Sequence, residues 1–181
     1  MESWPPKWLT PVPEDALTSS YGLRASDFID TFATVTKDSV GGRAGEPMRL
    51  RPWQRNLLVH AFAADGDGFR SRVNLVGVPR KNGKSALASG VALWSLLTGP
   101  KGGEVYSCAA DKDQARIVFG EAKRMLENEP ELAELAKIYR DAIEVPSTGS
   151  VYRVLSAEAF TKEGLSPTMV IFDELHAQPT R

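Results

Sequence analysis

A chain of 181 residues with 42% hydrophobic side chains can bury one core, and the usual size of ~100–200 residues allows a single domain of about 135 residues behind a thin N-terminal arm. Lys and Arg number 22 against 23 Asp and Glu, a net charge of −1, which excludes the overall basic character of a DNA-coating protein and leaves room for a local basic lining. The single cysteine, Cys108, excludes an internal disulfide and fits a reducing compartment. With no long apolar run and no basic-then-apolar start, neither a membrane span nor a signal peptide is readable, and no membrane partner is expected.

In chain order, Met1 to Pro13 holds four of the twelve prolines and two of the four tryptophans, a composition that suits an extended arm lying on another surface. Phe28, Ile29, Phe32 and Val35 recur at helical spacing within Ala25–Thr36, which predicts a short helix, and Gly41–Pro47 reads as a loop. Pro52 starts an amphipathic helix through Trp53, Leu57, Leu58, Ala61 and Phe62, in which Trp53 reads as core. Val73 to Val78 is an apolar strand running into a loop, and Lys84–Leu97 is a helix ended by Thr98-Gly99-Pro100. Glu104–Ala110 reads as the next strand, with Cys108 as a small buried hydrophobe, and Asp111 caps a helix that continues to about Asn128. Ile143–Val145 and Val151–Leu155 form a hairpin across Pro146–Ser150, and Thr161–Pro167 is a turn before the apolar strand Met169–Phe172. No internal repeat occurs, and His60 and His176 lack companions at metal-ligand spacing.

Two of these segments carry chemistry. Val76-Gly77-Val78-Pro79-Arg80-Lys81-Asn82-Gly83-Lys84-Ser85 joins a strand to a helix and ends as phosphate-cradling loops do, so the loop's backbone N–H groups and a helix N-terminus would face phosphates. Lys84 would reach the β- and γ-phosphates of ATP and Ser85 would hold Mg2+, with Asp173, at the end of an apolar strand, on the same ion. The spacing departs from the usual one, because Val78 stands where the first glycine is expected and Pro79, Arg80 and Lys81 replace freely rotating positions. Asp113-Gln114-Ala115-Arg116 opens a helix at the carboxyl edge of a strand, where ligands gather in such sheets.

The residues Leu50-Arg51-Pro52-Trp53-Gln54, Pro79-Arg80-Lys81-Asn82-Gly83-Lys84-Ser85, Asp113-Gln114-Ala115, and Gly164-Leu165-Ser166-Pro167 leading to Val170-Ile171-Phe172-Asp173-Glu174-Leu175-His176-Ala177 resemble the ATPase domain of the large terminase subunit of tailed bacteriophages, from about Glu46 onward. The resemblance implies an α/β P-loop NTPase fold of the RecA-like, additional-strand class with a mainly parallel sheet. It implies Walker A and Walker B motifs and ATP hydrolysis that drives double-stranded DNA into procapsids. It also implies that Glu174 is the catalytic base, within reach of the attacking water. Arg80 resembles the arginine such motors keep near the γ-phosphate, or it is a plain surface cation. Arg51 and Gln54 look like the adenine-side motif, where a Gln amide can donate to and accept from the base edge at once. Lys112 and Arg116 then stand as contacts to DNA or to a neighbour's nucleotide, or as solvated helix charges.

Partners implied are double-stranded DNA, a portal protein, a small terminase subunit and further copies in a homo-oligomeric ring, in the cytoplasm of an infected bacterial host, docked at the procapsid portal. The division expected is residues 1–45 as arm and short helix and 46–181 as a partial ATPase domain, truncated after the Walker B strand and without a C-terminal nuclease domain. On that reading the remaining part, or a complementary chain, is a further partner. Two other readings stand beside it: a helicase-type DNA-dependent ATPase, since Asp173-Glu174-Leu175-His176 fits that superfamily's box, and a nucleotide-binding remnant without turnover.

Overall fold

The computed structural model describes residues 5–39, 42–109, 112–156 and 164–173. Three helices come first: α1 (Glu14–Thr18), α2 (Tyr21–Phe32) and α3 (Pro52–Ala61), followed by the small hairpin of β1 (Ala64–Asp65) and β2 (Gly68–Phe69). The Ser20 side chain caps α2 by accepting the Gly22 N–H at 3.0 Å. Gly22 is required where α2 crosses α3, because a Cβ there would lie 2.1 Å from the Leu58 carbonyl oxygen. The helix expected over Ala25–Thr36 therefore begins four residues earlier and stops at Phe32, after which Thr34 bridges to Pro47.

The body of the fold is α4 (Lys84–Thr98), β3 (Glu104–Ala109), α5 (Lys112–Asn128), α6 (Pro130–Ala133), β4 (Lys137–Ile138), β5 (Ala142–Val145), β6 (Ser150–Ser156) and β7 (Met169–Phe172). The sheet runs β4-β5-β6-β3-β7. β6, β3 and β7 are parallel, with Val105 opposite both Tyr152 and Met169. The expected hairpin is present as β5 and β6, and with β4 it adds an antiparallel end, so the sheet is mixed. α4 and α5 pack on each other and on β3 and β6, and Phe119 of α5 meets Tyr152 edge-on at 5.1 Å. Ala25 and Ile29 of α2 belong to the same core as Leu58, Leu93, Phe119 and Tyr152. Cys108 is buried in β3, which pushes its thiol up to about 11 and keeps it protonated at neutral pH.

One predicted strand is not formed. Residues 73–78 carry no strand, and Val73 and Leu75 are 87% and 83% exposed. A strand needs a ladder for its backbone donors and acceptors, and among the described residues the segment has no neighbour in either sheet. Trp53 also differs from expectation: it is half-buried and lies outside the core cluster, into which α3 sends Leu58, with Leu57 and Phe62 packed against it. Among the described residues no helix is long and apolar enough to cross a membrane.

Candidate functional site

The site is built where α4 begins and β7 ends. α4 starts from Gly83 in the left-handed conformation (φ 73°), has no side-chain cap, and closes its first bond from Leu87 N–H to the Gly83 carbonyl at 2.9 Å. The backbone N–H groups of such a first turn have no intrahelical acceptor and point out of the helix as anion donors. Lys81 also takes a positive φ of 64°, the single described non-glycine residue to do so. A left-handed lysine is an uncommon choice, and a second left-handed residue follows two positions on at Gly83. Asn82 braces that turn, its Nδ2 donating to the carbonyls of Pro79 at 3.2 Å and Arg80 at 3.4 Å.

β7 brings the second half of the site. Its parallel pairing with β3 sets Phe172 opposite Cys108, and the Asp173 N–H reaches the Cys108 carbonyl at 3.3 Å, so Asp173 emerges at the carboxyl end of the strand. There Ser85 Oγ donates to Asp173 Oδ2 at 3.3 Å, joining two residues 88 positions apart. A hydroxyl and a carboxylate oxygen at this separation form the hard-oxygen pair that Mg2+ accepts as ligands. Arg80, Lys81 and Lys84 lie within the turn and the start of α4, a cationic run of the kind that attracts a polyanion.

The other predicted residues fall as follows. Pro79, Arg80 and Lys81 are exposed on the loop, and Asn82, Lys84 and Ser85 are half-buried at its foot. Arg51 is exposed at the N-cap of α3, and Gln54 is buried beneath it, its Oε1 accepting the Arg51 N–H at 2.8 Å. Glu174 and His176 lie outside the described residues, as does Asp111. Lys112 and Arg116 are ion-paired to acidic side chains. Arg116 grips Asp141 with Nε at 2.9 Å and Nη2 at 3.0 Å and also meets Asp113, while Lys112 Nζ stands 3.1 Å from the same Asp141 carboxylate. The Arg116 hydrogen bonds, with Lys112 beside them, hold Asp141 well below the usual carboxylate range, and Arg116 is raised in return.

Sequence reasoning missed the residues that hold this framework. Asp141 fastens the β4–β5 turn to the start of α5. Asp30 fastens the Arg51 motif to α2: its Oδ1 accepts the Leu50 N–H at 2.7 Å and its Oδ2 pairs with Arg55. Glu104 Oε2 accepts the Tyr106 hydroxyl at 3.0 Å and the Ser166 N–H at 3.1 Å, anchoring the turn that leads into β7. Each is a single acidic residue acting across a long sequence separation, and no local pattern marks it.

The fold thus brings the glycine-led start of α4 and the carboxyl end of β7 together, with Ser85 and Asp173 converging there. The model of the terminase large subunit, ATPase domain, matches residues 52–181, and the chain belongs to that family. It is 33% identical over 159 residues to the large terminase subunit of Enterobacteria phage HK97, covering 84% of this chain and 30% of that relative. It is 27% identical over 146 residues to the terminase large subunit of Lactococcus phage p2, covering 72% and 26%. Among solved structures, the crystal structure of the HK97 bacteriophage large terminase superposes with a TM-score of 0.71 at 29% identity, covering 84% of this chain and 31% of that one. The Thermus phage P74-26 large terminase ATPase domain gives 0.50 at 25% identity, covering 61% and 52%. The chain thus spans 30% or less of the length of these curated relatives.

Proposed function

We propose that the turn from Pro79 to Ser85 is a Walker A loop, that the end of β7 is a Walker B strand in a RecA-like P-loop fold, and that together they bind MgATP and hydrolyse it to drive double-stranded DNA translocation. The observation that carries this reading is the 3.3 Å approach of Ser85 Oγ to Asp173 Oδ2. Bound Mg2+ would supply charge neutralisation across the β- and γ-phosphate oxygens. In this reading Ser85 and Asp173 hold that ion, Lys84 binds the β- and γ-phosphate oxygens, and the first turn of α4 donates backbone N–H groups to the phosphates. Glu174, next in sequence, accepts the proton of the attacking water as the new P–O bond forms and the β–γ bridging bond breaks. Arg80, exposed on the loop, offsets the charge that develops on the transferring phosphoryl group.

The partners belong to the same reading: a portal protein and small terminase subunit at the procapsid, in the host cytoplasm, and further copies in a ring. The test is a pair of substitutions. Lys84→Ala is expected to weaken MgATP binding by at least about a hundredfold, since it removes a charge-assisted contact to the phosphates. Glu174→Gln is expected to keep that binding and to abolish phosphate release. Unchanged nucleotide affinity in Lys84→Ala would remove the Walker A assignment. Steady phosphate release from the 181-residue chain would separate an ATPase from a binding remnant.

A further inference from the structure

The sequence sets α2 apart from the ATPase domain as part of an arm, yet two consecutive residues of α2 hold the two helices that flank the phosphate loop. Ile29 is fully buried against α4, where Gly90 leaves the room for it: a Cβ there would lie 2.9 Å from Ile29 Cγ1. Asp30 holds the start of α3. Its Oδ1 accepts the Leu50 N–H at 2.7 Å, its Oδ2 pairs with Arg55, and its carbonyl accepts Arg49 Nη1 at 2.8 Å. Asp27, one turn earlier, stands 3.5 Å from the other Arg55 nitrogen. α3 has no acidic residue in its own first turn, so the carboxylate that a helix N-terminus favours comes from α2. The same turn of α3 borders the loop, with the Gln54 side chain beside Gly83, from which α4 departs. Neighbouring side chains on a helix point roughly 100° apart, so one rigid element fixes α4 and the start of α3 together.

We propose that Asp30 is a positioning residue of the nucleotide site, which from α2 sets Arg51 and Gln54 in place beside the phosphate loop without touching the nucleotide itself. The proposal rests on the nucleotide reading above and on the base-side role expected of Arg51 and Gln54. The Gln54 amide can fill that role with its oxygen on the Arg51 N–H, because a second lone pair and two N–H donors stay available. Recognition of a base edge by a few hydrogen bonds needs those groups held to a fraction of an ångström, which an anchored helix start provides. The phosphates depend on Asp30 far less. α4 closes its first turn on itself, from Leu87 N–H to the Gly83 carbonyl, and meets α2 through the apolar contact of Ile29 with Gly90.

The experiment compares Asp30→Ala with the unsubstituted chain on two ligands, MgATP and magnesium tripolyphosphate. Alanine suits a helix interior, so α2 is expected to persist while the Leu50 N–H and Arg55 lose the Asp30 carboxylate. MgATP affinity should fall about tenfold, while tripolyphosphate affinity should hold within a factor of about two. An equal loss on both ligands, the mark of a purely structural role, overturns the proposal, as does no loss on either. Should Asp30→Ala not fold, the unsubstituted chain decides. There MgATP should shift the Leu50 backbone amide resonance well beyond the shift that magnesium tripolyphosphate produces; equal shifts, or none, overturn the proposal. Lys84→Ala separates the two levels of argument: if it binds tripolyphosphate as tightly as the unsubstituted chain, the phosphate-loop reading fails and the role of Asp30 falls with it.

Discussion

β3 and residues 73–78 are both short apolar runs, and they end in opposite states. In β3, Val105, Tyr106, Cys108 and Ala109 are each 1% exposed or less, hydrogen-bonded to β6 on one side and β7 on the other. In the second run Val73 and Leu75 stand 87% and 83% exposed. Composition does not separate them; the ladder does. A strand with neighbours on both edges satisfies its backbone and can then bury both faces, whereas an apolar run without a ladder keeps its N–H and C=O groups in water and its side chains with them. β7 lies between these extremes, its Met169 and Ile171 half-buried and its Phe172 43% exposed.

The largest effect that sharpens the contrast comes from the packed side. Phe119, 2% exposed and against Tyr152, should cost about 3–5 kcal/mol when cut to alanine, read from urea unfolding. The corresponding change on the open side, Leu75→Ser, should stay within about 0.5 kcal/mol. A cost for Leu75→Ser approaching that of Phe119→Ala would break the comparison, since it would mean that the segment is buried in solution.

The smallest effect concerns the clamp at the start of α5. Arg116 keeps the Asp141 carboxyl well below its ordinary range, so the clamp contributes stability above the unfolded carboxylate value of about 3.9 and loses it as pH falls toward the folded value. Asp141→Asn should therefore be less stable than the unsubstituted chain at pH 7, with the gap narrowing below about pH 4. A gap of equal size at pH 7 and pH 2 would contradict the clamp.

The elements legible in advance were those whose signals are local. Thr98-Gly99-Pro100 ends α4 within one residue of the expected place, and the turn Pro146–Gly149 separates β5 from β6, which begins at Ser150. α1, β1, β2 and β4 are at most five residues long and carry no period to detect. The strand expected over Val73–Val78 depended on a neighbour, and a neighbour is a property of topology. At the site, Ser85 and Asp173 were legible because each sits at the junction of an apolar run with a polar turn. The left-handed Lys81 and the cap formed by Gln54 were not, since backbone sign and the use of one amide end leave no mark on residue order.

The central claim is that the loop before α4 and the end of β7 share one divalent ion. Calorimetric titration of ATP into the chain and into Asp173→Asn, each with and without Mg2+, tests it most directly. The account predicts binding to the unsubstituted chain at least about tenfold tighter with Mg2+ than without, and no such enhancement in Asp173→Asn. An Asp173→Asn chain that keeps the full Mg2+ enhancement would contradict it.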